Sequence, residues 1–60
     1  MNFKPGDLIC VEHYSIKLYG KVVKIEGDVL FYRNEIGQLF STPVADVKQP
    51  EEEMLDYLDF

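Results

Sequence analysis

Pro5-Gly6, Gly20, Gly27, Gly37, Pro43 and Pro50 divide this chain into short segments, and that spacing restricts its fold more than any other feature. Between the breaks run "LICVEHY", "YGKVVKIE", "VLFYR" and "QLFSTPV", rich in β-branched and aromatic residues. Short runs of this composition bounded by turn residues read as strands. The expectation is an all-β chain of about five short antiparallel strands.

The turns have recognisable chemistry. Gly27 in "KIEGDVLF" supplies the positive φ of a tight hairpin, and Asn34 with Gly37 in "YRNEIGQLF" suits a longer one. Strands over 20–26, 28–33 and 38–42 then form a meander. Asp7 and Asp28 read as turn-stabilising partners of Pro5-Gly6 and Gly27. The link "EHYSIKL" holds neither glycine nor proline and is expected to be a structured loop. Alternation puts Val23 with Ile25, and Leu30 with Tyr32, on shared faces, with Val29 and Phe31 opposite; Leu8 and Cys10 alternate with Ile9 and Val11. Apolar residues on both faces of a strand fit a small, strongly bent barrel.

"KPGDLICV", a loop, "GKVVKIEGDVLFYR" and "GQLFSTPVADVK" together resemble the SH3-like small barrels of the KOW and Tudor kind. Gly20, Val22 and Ile25 match a Gly-x-Val-x-x-Ile strand. Pro43, Val44, Ala45, Asp46 and Val47 match a short helical turn and a last short strand. The resemblance covers residues 3–48. It implies an antiparallel SH3-like barrel over residues 1–49 and, by analogy with barrels of this kind, an aromatic cage or a cleft for a peptide. The basic loops of a KOW domain are missing.

Sixty residues make one small domain, in which about 60% of the unfolded chain's surface is buried. A deep catalytic cleft is not expected at this size. With 47% hydrophobic residues the chain has enough apolar surface to collapse. A lone cysteine, Cys10, forms no internal disulfide, and no apolar run reaches the roughly 18 residues of a membrane span. The expected location is the reducing cytoplasm.

Charge is divided unequally. All six Lys and Arg and six of the eleven acids fall within residues 1–49, so the net −5 resides in "PEEEMLDYLDF", residues 50–60. Pro50 suits a first helical turn, and Glu51, Glu52 and Glu53 sit where the helix dipole favours negative charge. At about 100° per residue, Met54, Leu55, Tyr57 and Leu58 share one side and the acids the other, with Phe60 on the acidic side. A helix this short needs a surface to lie on. It caps the open end of its own barrel, docks in a partner's apolar groove rimmed by Lys or Arg, or stays disordered.

Catalysis and metal binding find little support. Cys10 and His13, three apart on an extended chain, point to opposite faces. One His and one Cys fall short of a metal site, so no catalytic residue, metal or cofactor is assigned. The expected function is a non-enzymatic protein–protein interaction module. Its contacts would come from Tyr14 and Tyr19 on the first loop, from Glu52, Glu53, Leu55, Tyr57 and Leu58 in the tail, or from both, meeting another protein, one of basic character. One alternative is a small nucleic-acid-binding barrel with Lys17, Lys21, Lys24 and Arg33 on phosphates, which the acidic balance disfavours. Another is an acidic inhibitor that blocks a partner's nucleic-acid-binding site.

Overall fold

The computed structural model describes residues 3–58. Five strands, β1 (Leu8–His13), β2 (Ile16–Glu26), β3 (Val29–Arg33), β4 (Leu39–Pro43) and β5 (Val47–Lys48), form one antiparallel sheet in the order β4-β3-β2-β1-β5. A 3-10 turn (Val44–Asp46) separates β4 from β5, and a four-residue helix, α1 (Glu52–Leu55), follows. The small all-β domain expected from the sequence is therefore observed, with its short helical turn before the last strand.

The sheet has to curl. Laid flat, its outermost strands would stand about 19 Å apart, yet only Val44–Asp46 joins them. Three residues at the 3-10 rise cover about 6 Å. The ladders couple β5 to β1 and β4 to β3, not β4 to β5. The concave face holds the core: Ile9 and Val11 of β1, Val22 of β2, Leu30 and Tyr32 of β3 and Val47 of β5, with Phe3, Ile25 and Val44 packed against them. Full burial of such side chains is worth about 1.5–3 kcal/mol each.

Two sequence expectations are corrected. The first concerns the link between β1 and β2, which is a tight hairpin rather than a structured loop, so β2 begins at Ile16 and not near residue 20. Tyr14 and Ser15 make the turn with φ of 49° and 67°. Positive φ at both central positions is what a type I′ two-residue hairpin turn demands, and here non-glycine residues supply it. The second concerns Val23. A β-bulge between Val22 and Lys24 inserts one extra residue in β2, so Val22 and Ile25 face the core and Val23 is exposed.

The other turns follow their chemistry. The Asp7 carboxylate accepts the Lys4 N–H at 3.0 Å, and the Asp7 N–H donates to the Lys4 carbonyl at 3.1 Å. Gly27, at φ 59°, is the first central residue of the β2–β3 hairpin. Asp28 contributes there through its backbone, its carbonyl accepting the Val44 N–H at 2.8 Å. That bond ties the β2–β3 turn to the start of the 3-10 turn.

Candidate functional site

The β1–β2 hairpin extends past the end of β3, because Arg33 pairs with Lys21 while β2 continues back to Ile16. The β3–β4 turn, residues 34–38, lies beside this extension. Between them is an open cleft of about 370 Å³, with Leu18, Tyr32 and Phe40 at its base and Lys17, Tyr19, Asn34, Glu35 and Ile36 around it.

Asn34 builds one wall. Its side-chain oxygen accepts the N–H groups of Ile36 at 3.1 Å and Gln38 at 2.9 Å, and its carbonyl accepts the Gly37 N–H at 3.0 Å. Arg33 donates to the Gly37 carbonyl at 2.7 Å. An Asn side chain that mimics backbone in this way fixes the turn, and the turn leaves Ile36 78% exposed.

The base is aromatic. Tyr32 and Phe40 are cross-strand partners with rings stacked 5.7 Å apart at 30°. Burial pushes the Tyr32 hydroxyl's pKa up, so it stays a neutral hydrogen-bonding group through the ordinary pH range. Phe40 is 43% and Leu18 47% exposed. With Ile36, these residues place three large apolar side chains around one concavity.

A second, smaller hollow of about 230 Å³ shares Leu18 and Tyr32 with the first. Val11 and His13 of β1 line one side, and Ser41, Thr42 and Pro43 of β4 with Asp46 the other. It marks the seam at which the curled sheet stays open.

The expected site residues are dispersed by this geometry. Tyr14 is at the hairpin tip, highly exposed, its ring edge-on to His13 at 4.5 Å. Tyr19 is half-buried within β2, opposite Cys10, so the two tyrosines form neither a loop nor a pair. Tyr19 reaches the cleft and Tyr14 does not line it. Sequence reading missed Leu18 and Ile36. The signal for Leu18 was the long β2, which stays hidden while "EHYSIKL" is read as a loop.

The tail folds back along the convex side. Glu51 pairs with Lys17 at 3.0 Å, which raises the lysine's pKa. Leu55 sits over a shallow hollow with Phe3 and Leu8. Met54 and Leu58 are half-buried, while Glu52, Glu53 and Tyr57 are exposed. Helix α1 is only four residues long, shorter than the amphipathic helix expected over residues 50–60. Asp59 and Phe60 of that expected helix lie outside the described residues.

The convex face gathers Lys17, Lys21, Lys24 and Arg33, with Lys21 and Arg33 directly opposite each other. Lys24 pairs with Glu26 at 2.7 Å and lies 4.9 Å from the Phe31 ring centre. Lys48 pairs with Glu12 at 3.6 Å. Cys10 is buried on this face, and burial raises its thiol pKa, offset in part by the Lys17 cation and the Tyr19 hydroxyl. Cys10 and His13 belong to opposite faces of β1.

Among the described residues no group of three or more His, Cys, Asp or Glu side chains is placed to hold a metal ion. No helix among them is long and apolar enough to cross a membrane. Comparison with known proteins finds no family model, no curated protein and no solved structure that matches this chain.

Proposed function

We propose that this chain is a non-enzymatic, cytoplasmic interaction module with an SH3-like curled sheet, and that it binds a segment of another protein in the cleft between the β1–β2 hairpin and the β3–β4 turn. The observation that carries this reading is the grouping of Leu18, Ile36 and Phe40, all exposed, around one concave site over a stacked aromatic pair. A small domain gains nothing in stability by leaving three large apolar groups in water. Clustered anchors in a concavity are what interaction hot spots are built from. Glu52, Glu53 and Asp56, exposed on the tail, would steer a basic partner and raise its association rate more than its final affinity.

The test is capture from the source cell lysate by the full chain and by Ile36→Asp and Phe40→Ala variants, each verified as folded by circular dichroism. A protein captured by the wild type, lost by both variants and then bound by the purified chain supports the reading. Capture unaffected by either substitution removes the cleft from it.

A second reading follows from the convex face, which carries Lys17, Lys21, Lys24 and Arg33, with Lys24 over the Phe31 ring. Nucleic-acid binding there would weaken steeply with salt. Two of those cations already have acidic partners, which places this reading second. Absence of oligonucleotide binding at low ionic strength eliminates it.

A further inference from the structure

Resting on the cleft reading above, we infer that the partner segment binds as an added β-strand, entering the open seam between β1 and β4 with alternate apolar side chains directed into the two hollows and Lys or Arg at its ends. Among the described residues the seam has two strand edges lacking a ladder partner on one side. There β5 pairs with β1 only at Cys10 and Val11, so Glu12 and His13 are paired on the β2 side alone, and β4 is paired only with β3 along its whole length. Such edges present unpaired N–H and C=O groups that a strand of another chain satisfies.

The edge of β4 also lacks the usual protection against pairing. Leu39, Phe40, Ser41 and Thr42 carry no charge, and proline enters only at the strand's end. Side chains of an added strand would alternate in direction every residue. Those directed inward would meet Leu18 and Tyr32, which line both hollows.

Charge selects the ends of the segment. Glu35 borders one hollow and Asp46 the other, and neither makes an ion pair among the described residues. Lys17, the lysine at the rim, is already matched by Glu51. The rim is therefore complementary to a segment with basic flanks and unfavourable to an acidic one.

The probe is a displayed library of random peptides selected on the full-length chain. The best binder is then resynthesised with a single N-methyl group at each backbone amide in turn, and amide exchange of the chain is followed by NMR with and without it. Strand addition is expected to enrich alternating apolar sequences with Lys or Arg flanks. N-methylation would then weaken binding roughly five- to tenfold at every second residue and little between, as expected for losing one backbone hydrogen bond. The outward-facing amides of β4, those of Leu39 and Ser41, would gain protection on binding, while those of Phe40 and Thr42 are already bonded to β3.

Peptides that require Ile36 and Phe40 but show no alternation in the N-methyl series overturn strand addition while leaving the cleft reading in place. Failure to enrich any peptide, or enrichment of peptides indifferent to Ile36→Asp and Phe40→Ala, overturns both. Protection of β4 that rises with chain concentration without peptide assigns the edge to a second copy and overturns the partner-segment inference.

Discussion

The ring of Tyr32 occupies the space in which residue 20 would carry a side chain. A Cβ built on Gly20 would meet that ring and stand 2.8 Å from the Arg33 carbonyl oxygen. The closeness of β2 to β3 at the cleft's base depends on a missing side chain. Gly20→Ala is therefore expected to destabilise the fold by about 1–3 kcal/mol, as overpacking does in a tight core. Urea unfolding followed by circular dichroism measures it; an unchanged midpoint would mean the ring is not seated there.

The bulge in β2 makes neighbouring valines opposite in kind. Val22 is 3% exposed and Val23 38%. Val22→Thr places a hydroxyl among Ile9, Leu30 and Val47, at an expected cost of about 1–3 kcal/mol for a polar group without a partner. Val23→Thr is expected to fall within about 0.5 kcal/mol of wild type. Equal effects in urea unfolding would refute the bulge.

The same bulge shows what was legible in advance. Gly20, Val22 and Ile25 all face inward in an odd spacing that strict alternation forbids, so the Gly-x-Val-x-x-Ile pattern carried the bulge while a period-two reading missed it. Gly27, Asn34 and Pro5-Gly6 announced their turns because each supplies a specific dihedral or hydrogen bond. Tyr14-Ser15 announced nothing, since its positive φ values are imposed by the β1–β2 ladder on residues with no preference for them. With that hairpin unseen, Leu18 was assigned to a loop and the cleft could not be assembled.

That turn offers a way to strengthen the protein. Replacing Tyr14-Ser15 with Asn-Gly gives the φ > 0 positions residues that adopt them readily. The expected gain is about 0.5–1 kcal/mol, or a rise in Tm of roughly 2–8 °C for a domain this small. Differential scanning calorimetry measures it. Because Tyr14 does not line the cleft, affinity for a cleft-bound segment should be unchanged.

Alkaline pH should loosen the fold, with the first contribution from Cys10. Burial, the main cause, raises its pKa above the ordinary thiol value of 9.0. Between the unfolded and folded values the unfolded thiol has lost its proton and the folded one has not, so the unfolded state binds fewer protons and stability falls as pH rises. Its contribution is complete below pH 9.0 and is lost through the folded value. Burial likewise raises Tyr19 and Tyr32 above 10.0, which continues the decline at higher pH. Urea titrations from pH 8 to about 11 should show this slope, and Cys10→Ala should remove its earliest part.

The tail's attachment and its role in binding can be separated by ending the chain after Gln49. Met54 and Leu58 are only half-buried, and Leu55 is exposed, lining an open hollow with Phe3 and Leu8. The core of Ile9, Val11, Val22, Leu30, Tyr32 and Val47 needs none of them. The shortened chain is expected to remain folded with a loss of about 1–3 kcal/mol, the scale of incomplete burial of two or three apolar side chains. The exposed Lys17–Glu51 pair adds little because water screens it. Cys10, with Glu51 no longer beside it, should react faster with a thiol reagent in the folded state. A cleft-bound basic segment should lose association rate, most clearly at low salt, because the tail's acids act over distance on the encounter, while its dissociation rate should rise by less, through the loss of Glu51 beside Lys17 at the cleft rim. Stopped-flow kinetics of both chains across a salt series decides it. An increase confined to the dissociation rate would place the tail in direct contact with the partner.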